Sequence, residues 1–445
     1  VPYIANTAED RREMLAAIGC ADLDEMWSQC LVDSPAPDLN LADGLSESEV
    51  IGKLRRLAGK NAVGLINFLG GGYYDHLIPA AVDDLSGRSE FLTAYTPYQP
   101  EASQGTLQAI YEYQSLIARL TGMAAANASL YDGGTALFEA MMLAVRSTRR
   151  RQAVISKAVS PIFRRMIQCY SSNLDVELIE VDCGLDDSAP EALLAAVTER
   201  TACVIVQYPN FFGTVEKWDD FVRIVHERKA LAICSCYPMA LALLRTPGEM
   251  GFDVVTGEGQ SLGIPLSFGG PYLGFMAVTA NYLRKMPGRI VGRTTDAQGR
   301  DGFVLTLQTR EQHIRRDQAT SNICSNENLC ALRALIYLSC LGKEGLIHAA
   351  ELCAAKAVFA CETLTAIRGV GLVGRGAFFN EFVLELPVDA AEVVGSLIDK
   401  GFAAGFPLGR YYEDRRRQLL VAVTEKRTRE EIKNFANALE AVLWS

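Results

Sequence analysis

The chain has 445 residues, of which 49% are hydrophobic and 22% charged, with a formal net charge of −10 at pH 7. That length can bury a large core, and the composition is that of an ordinary globular protein. The acidic balance argues against nucleic-acid binding, which draws most of its affinity from a basic surface.

Residues 1–60 read as a polar helical arm. Thr7 with Asp10 marks a helix start, and the run from Met14 to Ile18 fits its buried stripe. Ser46 followed by Val50, Ile51, Leu54 and Leu57 predicts a second amphipathic helix. Residues 61–310 read as a large α/β domain. It opens on a Gly- and Tyr-rich loop around residues 67–79 and a loop with two prolines at 93–105, then a helix from Thr106 to Leu120 with Gly122 as its C-cap. From about residue 125, short apolar strands alternate with helices, which is the rhythm of a doubly wound, largely parallel sheet. Residues 311–445 read as a small C-terminal α+β domain, with strands EFVLELP and QLLVAVTE and a last helix capped by Thr428 and Glu431.

The sequence has 12 cysteines and four histidines. Cys20, Cys30, Cys169, Cys183 and Cys203 sit in or beside apolar runs, and Cys234 and Cys236 share one strand-like segment. No CxxC or zinc-type spacing is present, so reduced, buried thiols of a cytoplasmic protein are expected. Histidine is limited to His76, His226, His313 and His348, and no metal site is expected. The N-terminal residues lack the basic-then-apolar pattern of a secretory leader. No apolar stretch approaches the roughly 18 residues of a membrane span.

Three constellations bear on chemistry. Asp132-Gly133-Gly134-Thr135 precedes a helix, where a glycine turn and free backbone N–H groups form a possible anion cradle. The same residues read equally well as a plain turn with a cap. Tyr95-Thr96-Pro97-Tyr98-Gln99-Pro100-Glu101 is a stiffened loop rich in polar groups, of the kind that lines sites or packs at interfaces. The third, Gly257 to Pro265 and on through Ser267-Phe268-Gly269-Gly270-Pro271, follows an apolar strand, where a doubly wound sheet places its ligands.

The stretches FLGGGYYDHLIP, TAYTPYQPEASQG, YDGGTALFEA, GEGQSLGIPLSFGGPYLGF and QTREQHIRRDQATSNICSNENL resemble the glycine cleavage system P-protein, and within it subunit 1 of the two-subunit bacterial form. The resemblance runs over essentially the whole chain. It implies the fold type I architecture of pyridoxal-phosphate-dependent transferases, similar to aspartate aminotransferase. It also implies glycine decarboxylation, with transfer of the aminomethyl group to the lipoyl arm of the H-protein, by an α2β2 assembly with a lysine-bearing subunit 2.

That chemistry needs a lysine to bind the cofactor. By this alignment the family's lysine position holds Gln260, whose amide forms no imine. The segment Cys234-Ser235-Cys236-Tyr237-Pro238 also lacks the acid that would face the pyridine nitrogen. The expectation is that this chain binds no cofactor covalently and that pyridoxal phosphate resides in the partner at a shared site. Gly133, Gly134 and Thr135 are then a degenerate phosphate turn. Tyr95, Thr96, Tyr98, Gln99 and Glu101 are candidates for residues lent to the partner. Two other readings stay open: a self-sufficient pyridoxal-phosphate-dependent aminotransferase or decarboxylase, and a scaffold that only stabilises its partner.

Overall fold

The structure, a computed structural model, describes residues 5–30, 40–182, 189–374 and 376–444. The chain divides into two compact units, residues 1–63 and 64–445. Cys183 and the side chain of Cys30 lie outside the described residues.

Unit 1 carries helices α1 (Ala8–Ile18), α2 (Leu23–Cys30) and α3 (Glu47–Ala58). Thr7 and Asp10 form a reciprocal capping box at α1, and Ser46 and Glu49 do the same at α3. Each box satisfies two backbone donors that the helix itself leaves free. Gly19, at φ 80°, closes α1 in the left-handed region that a side chain disfavours.

Unit 2 begins with β1 (Ile66–Asn67), α4 (Ala80–Ser86), α5 (Ser89–Leu92) and α6 (Gln104–Thr121). Gly122, at φ 72°, caps α6 as its position predicts. Then come β2 (Ala125–Ala126), α7 (Gly133–Thr148), β3 (Gln152–Ser156), α8 (Pro161–Ser171), β4 (Glu177–Val181), α9 (Ala189–Ala196), β5 (Thr201–Tyr208), α10 (Asp219–Glu227), β6 (Leu231–Cys236), β7 (Val254–Glu258) and β8 (Gly274–Val278). Their sheet has the order β2-β8-β7-β6-β5-β3-β4. Adjacent strands from β4 through β7 pair in parallel, and only β8 runs against the rest. Strands β3, β5, β6 and β7 are buried along almost their whole length. A strand covered on both faces must be so, hence their unbroken apolar runs. One face packs on α7 and α8, around Leu137, Met141 and Phe163. The other packs on Tyr113, Trp218 and Tyr337.

A hairpin of β9 (Ile290–Thr295) and β10 (Asp301–Thr306) follows, then α11 (Gln312–Arg315) and α12 (Asn328–Thr365). Helix α12 bends at Gly342, where φ 62° breaks the helical path. The chain ends with β11 (Gly371–Val373), β12 (Glu381–Glu385), α13 (Ala390–Ile398), β13 (Phe402–Ala403), β14 (Phe406–Pro407), β15 (Gln418–Ala422) and α14 (Arg429–Leu443). An antiparallel sheet of order β11-β12-β15-β14 forms here. It covers a second core in which Phe68 stacks on Phe435 at 4.4 Å. Thr428 and Glu431 cap α14 as the spacing predicts.

The thiols divide. Cys20, Cys203, Cys234 and Cys236 are buried, but Cys169, Cys324 and Cys340 are exposed. Cys169 corrects the expectation of burial. Helix α8 buries Phe163, Arg164, Ile167 and Ser171, and Cys169 falls off that stripe. Among the described residues, no helix is long and apolar enough to cross a membrane.

Candidate functional site

The carboxyl ends of β5, β6 and β7 open on a common edge, where a doubly wound sheet presents its ligands. Gln207, Ser235, Cys236, Tyr237 and Glu258 come from the strand ends, Ser160 and Phe163 from the start of α8, and Gly72 and Tyr74 from the loop after β1. The cavity left between them is about 30 Å3. Pockets for small ligands and cofactors are commonly about 300–1,000 Å3.

Gln260 is buried in this wall. Its Oε1 accepts from the Tyr74 N–H at 2.8 Å, and its Nε2 donates to the carbonyls of Tyr74 at 3.0 Å and Ile264 at 2.8 Å. An amide can both donate and accept, so it pairs with both backbone groups of Tyr74, which an ammonium cannot do. The Asp132–Thr135 turn lies next to it. Asp132 caps α7, its Oδ1 accepting from the Thr135 N–H at 2.8 Å and its Oδ2 from the Thr135 hydroxyl at 3.2 Å. Glu258 bridges turn and loop. Its carboxylate accepts from the N–H groups of Gly133 at 3.0 Å, Gln260 at 3.0 Å and Leu273 at 2.9 Å. A Cβ on Gly134 would fall 2.4 Å from the Met166 sulfur. Two of the N–H groups that would hold a phosphate, those of Gly133 and Thr135, are already taken by carboxylates.

The end of β6 carries a buried polar relay instead of an acid. Tyr237 hydroxyl bonds His76 Nε2, His76 Nδ1 lies 2.7 Å from Glu425 Oε2, and the Cys353 thiol donates to the same oxygen at 3.2 Å. Leu77 N–H donates to the other Glu425 oxygen at 2.6 Å, and the Lys356 ammonium to the Glu425 carbonyl. The ligand-type atoms of His76, Cys353 and Glu425 lie within 4.8 Å of one another, and hydrogen bonds link the three. Beside them Tyr74 hydroxyl donates to Glu381 Oε2 at 2.5 Å, and Gly71 N–H to Oε1 at 2.6 Å. Pyridoxal phosphate does not fit this cleft. The pocket residues offer no lysine, the segment Cys234–Pro238 at the end of β6 carries no acid of its own, and two N–H groups of the anion turn are taken by carboxylates.

Burial pushes Glu258 up to about 7 against the pull of its three backbone N–H groups. Burial likewise raises Glu381 to about 7, opposed by Tyr74 and Gly71. At Glu425 burial acts in the same direction, but the His76 hydrogen bond and charge, Leu77 and Cys353 together hold the carboxyl near 2. The signs differ. Glu258 and Glu381 bind protons more tightly in the folded state, so the stability they contribute is full below the ordinary 4.5 and is lost as pH rises to about 7. Glu425 contributes stability above 4.5 that is lost as pH falls toward 2. Glu381→Gln is expected to flatten the fall in melting temperature between about pH 5 and about pH 8. An unchanged slope in thermal unfolding would remove Glu381 as its source.

The Tyr95–Glu101 loop is not part of this cleft. Tyr95 is 86% exposed and Tyr98 49%, and Gln99 and Glu101 are also exposed. Thr96 is half-buried and Pro97 buried. Tyr98 is held by a residue the sequence did not single out. Arg289, 5% exposed, lies over its ring at 5.5 Å and donates to its hydroxyl at 3.3 Å. Arg289 also donates to Cys324 O at 2.8 Å, Asn326 Oδ1 at 3.2 Å and Ser325 Oγ at 3.4 Å. The segment it holds is tied back to residues just before the anion turn, through Cys324 N–H to Tyr131 hydroxyl at 3.3 Å and Asn326 Nδ2 to Ala128 O at 3.1 Å. Thus Gly133 and Gln260 bond to Glu258, Thr135 bonds to Asp132, Gly134 lies against Met166, and Tyr98 of the tyrosine loop is held by Arg289.

Residues 2–439 match the family model described as glycine cleavage system P-protein. The chain is 55% identical over 441 residues to a protein of Geotalea daltonii named probable glycine dehydrogenase (decarboxylating) subunit 1, covering 99% of this chain and 100% of that one. A protein of the same name from Maridesulfovibrio salexigens is 52% identical over 443 residues, with full coverage of both. Among solved structures, an inhibitor-bound glycine decarboxylase (P-protein) of the glycine cleavage system superposes with a TM-score of 0.92 at 40% identity over 100% of both chains. The sphingosine-1-phosphate lyase of Burkholderia pseudomallei superposes at 0.64 with 15% identity over 92% of this chain and 93% of that one, a likeness of fold alone.

Proposed function

The chain belongs to the glycine cleavage system P-protein family, and from that premise we propose that it is subunit 1 of a two-subunit glycine dehydrogenase (decarboxylating) whose cofactor is bound by the other subunit. Its fold is that of the fold type I pyridoxal-phosphate-dependent transferases. The observation that carries the reading is the closed cleft: Gln260 committed to three backbone hydrogen bonds beside an anion turn filled by Glu258. Pyridoxal phosphate, when bound in the partner, supplies the electron sink for loss of CO2 from glycine. Everything else proposed for this chain concerns positioning. The Tyr95–Glu101 loop, with Tyr95, Thr96, Tyr98, Gln99 and Glu101, is lent to the partner's cleft, where its hydroxyl groups orient bound groups and its rings exclude water. A lysine-bearing subunit 2, an α2β2 assembly, lipoylated H-protein as acceptor of the aminomethyl group, and a cytoplasmic location complete the reading. It treats residues 61–310 and 311–445 as a large and a small domain.

The test is spectroscopic. Isolated chain mixed with pyridoxal phosphate is expected to lack the long-wavelength absorption of a lysine-bound cofactor, and the complex with subunit 2 is expected to show it. Borohydride reduction followed by peptide mapping should then place the label only on subunit 2. A label on any lysine of this chain refutes the reading in favour of a self-sufficient enzyme. Phenylalanine at both Tyr95 and Tyr98 is expected to lower turnover of the assembled complex about tenfold or more, as loss of hydrogen bonds to charged groups does. Unchanged turnover would leave the chain a scaffold.

A further inference from the structure

Helix α7 places Phe138, Glu139, Met142 and Arg146 at helical spacing, so they share one side of the helix over two turns. Tyr170 and Leu174, at and just beyond the end of α8, and residues 319–323 stand across from them. The three segments enclose a cavity of about 490 Å3. That size suits a small organic ligand. The walls are rich in apolar groups. Phe138 meets Tyr170 edge-on at 5.3 Å, and Met142, Leu174 and Ile323 continue the lining. The cavity opens to solvent where Tyr170 and Leu174 stand exposed.

One charged group in this lining is incompletely paired. Glu139 is 3% exposed, yet its Oε2 has no hydrogen-bond partner among the described residues. Native structures leave very few buried polar atoms unpaired, and an unpaired carboxylate is among the costliest. The cation beside it does not close the gap. Arg146 Nη2 stands 4.0 Å from Oε2, beyond hydrogen-bond distance, and its side chain is about one-third exposed. Burial pushes the Glu139 carboxyl up, opposed by the Ser321 hydroxyl and the Arg146 charge. The Ser321 oxygen accepts from the Ile323 N–H at 3.1 Å, so its own proton is free for the carboxylate.

The cavity therefore presents a carboxylate and a guanidinium side by side against an apolar wall. A lone cation there is repelled by Arg146, and a lone anion by Glu139. An uncharged apolar molecule leaves both unpaired. An α-amino acid carries an ammonium and a carboxylate on one carbon, which lets it bridge the two groups, and its side chain is left for the wall.

We propose that this cavity is a binding site for a free α-amino acid with an apolar side chain, its ammonium on Glu139, its carboxylate on Arg146 and its side chain against Phe138, Met142 and Tyr170. Glycine has no side chain to place on that wall, so the site is distinct from one that takes glycine as substrate. The proposal is independent of which subunit holds the cofactor.

Isothermal titration calorimetry of the full-length chain tests it, with L-phenylalanine and L-leucine as probes and glycine, phenethylamine and phenylpropanoate as controls. Both probes are expected to bind saturably, and each control at least about tenfold more weakly, because each lacks one of the three contacts. Glu139→Gln and Arg146→Gln should each raise the dissociation constant of L-phenylalanine about tenfold to a hundredfold, as expected for losing a bond to a charged group. Tyr170→Ala should raise it by a smaller factor. Absence of saturable binding of both probes overturns the site. So does binding that Glu139→Gln and Arg146→Gln leave unchanged, because it then lies elsewhere. Phenethylamine or phenylpropanoate binding as tightly as L-phenylalanine also overturns it, since one charge then suffices. Should Glu139→Gln fail to fold, Arg146→Gln and Tyr170→Ala at the rim decide: unchanged affinity in both overturns the proposal, and a loss in both supports it.

Discussion

Gln260→Lys is expected to yield a less stable chain that still takes up no cofactor. The substitution places an amine in this buried loop, so it isolates that amine from the rest of the pocket. Gln260 is 2% exposed and pairs with both backbone groups of Tyr74 and with Ile264 O. Lysine has no acceptor, so the Tyr74 N–H is left unpaired, and an ammonium is buried. The sum is roughly 3–5 kcal/mol of destabilisation, read as a lower denaturant midpoint. Cofactor uptake stays absent because the amine solves only one of three problems. Glu258 still occupies the Gly133 N–H, and the cavity is still about 30 Å3. A yellow, borohydride-trappable adduct on Lys at this position would show that the cleft opens and that the single missing amine was the whole barrier.

Arg289→Met is the second large effect expected. Arg289 has a nearly buried guanidinium that ties together Tyr98, Cys324, Ser325 and Asn326. Its removal leaves the Cys324 carbonyl without its donor and the Glu311 carboxylate with only His313 and Arg310 to oppose its burial, and losing a buried charge contact of this kind takes about 3–5 kcal/mol from stability. Burial already pushes Glu311 upward, and Arg289 is the first of the charges that oppose this. Glu311→Gln in the Arg289→Met background should therefore recover part of the loss. Strictly additive effects in this double-mutant cycle would mean that Arg289 and Glu311 act independently and that their 3.9 Å approach has no energetic meaning. In the assembled complex the same variant should lose turnover at least as strongly as Tyr98→Phe, since it removes what holds Tyr98 in place.

Both expectations depend on residues of unequal visibility in the sequence. Glu258 stands inside the loop that drew notice for its glycines, yet nothing in its spacing says that its side chain turns back to the α7 turn. Its partners at Gly133 and Leu273 are 125 and 15 residues away. Glu381 and Tyr74 are 307 residues apart, and His76 and Glu425 are 349. Such pairs arise where the second sheet closes on the first, and no local pattern records them. Arg289 sits in a connection between a strand and a hairpin, where a lone arginine looks like a solvated charge. Only its burial shows otherwise.

Local rules written in consecutive residues were fully legible. The apolar runs of β3, β5, β6 and β7 specify strands covered on both faces, and Thr7, Thr428 and Gly122 specify helix ends. These signals act over a few residues, because backbone propensity, capping and side-chain period are short-range. What the tertiary structure alone decided is which charges meet. Folding brought a carboxylate to the anion turn, a tyrosine–histidine–glutamate relay to the end of β6, and a buried arginine beneath the exposed tyrosine loop. Those meetings depend on packing between segments hundreds of residues apart, where electrostatics and desolvation, rather than local order, determine what a side chain does.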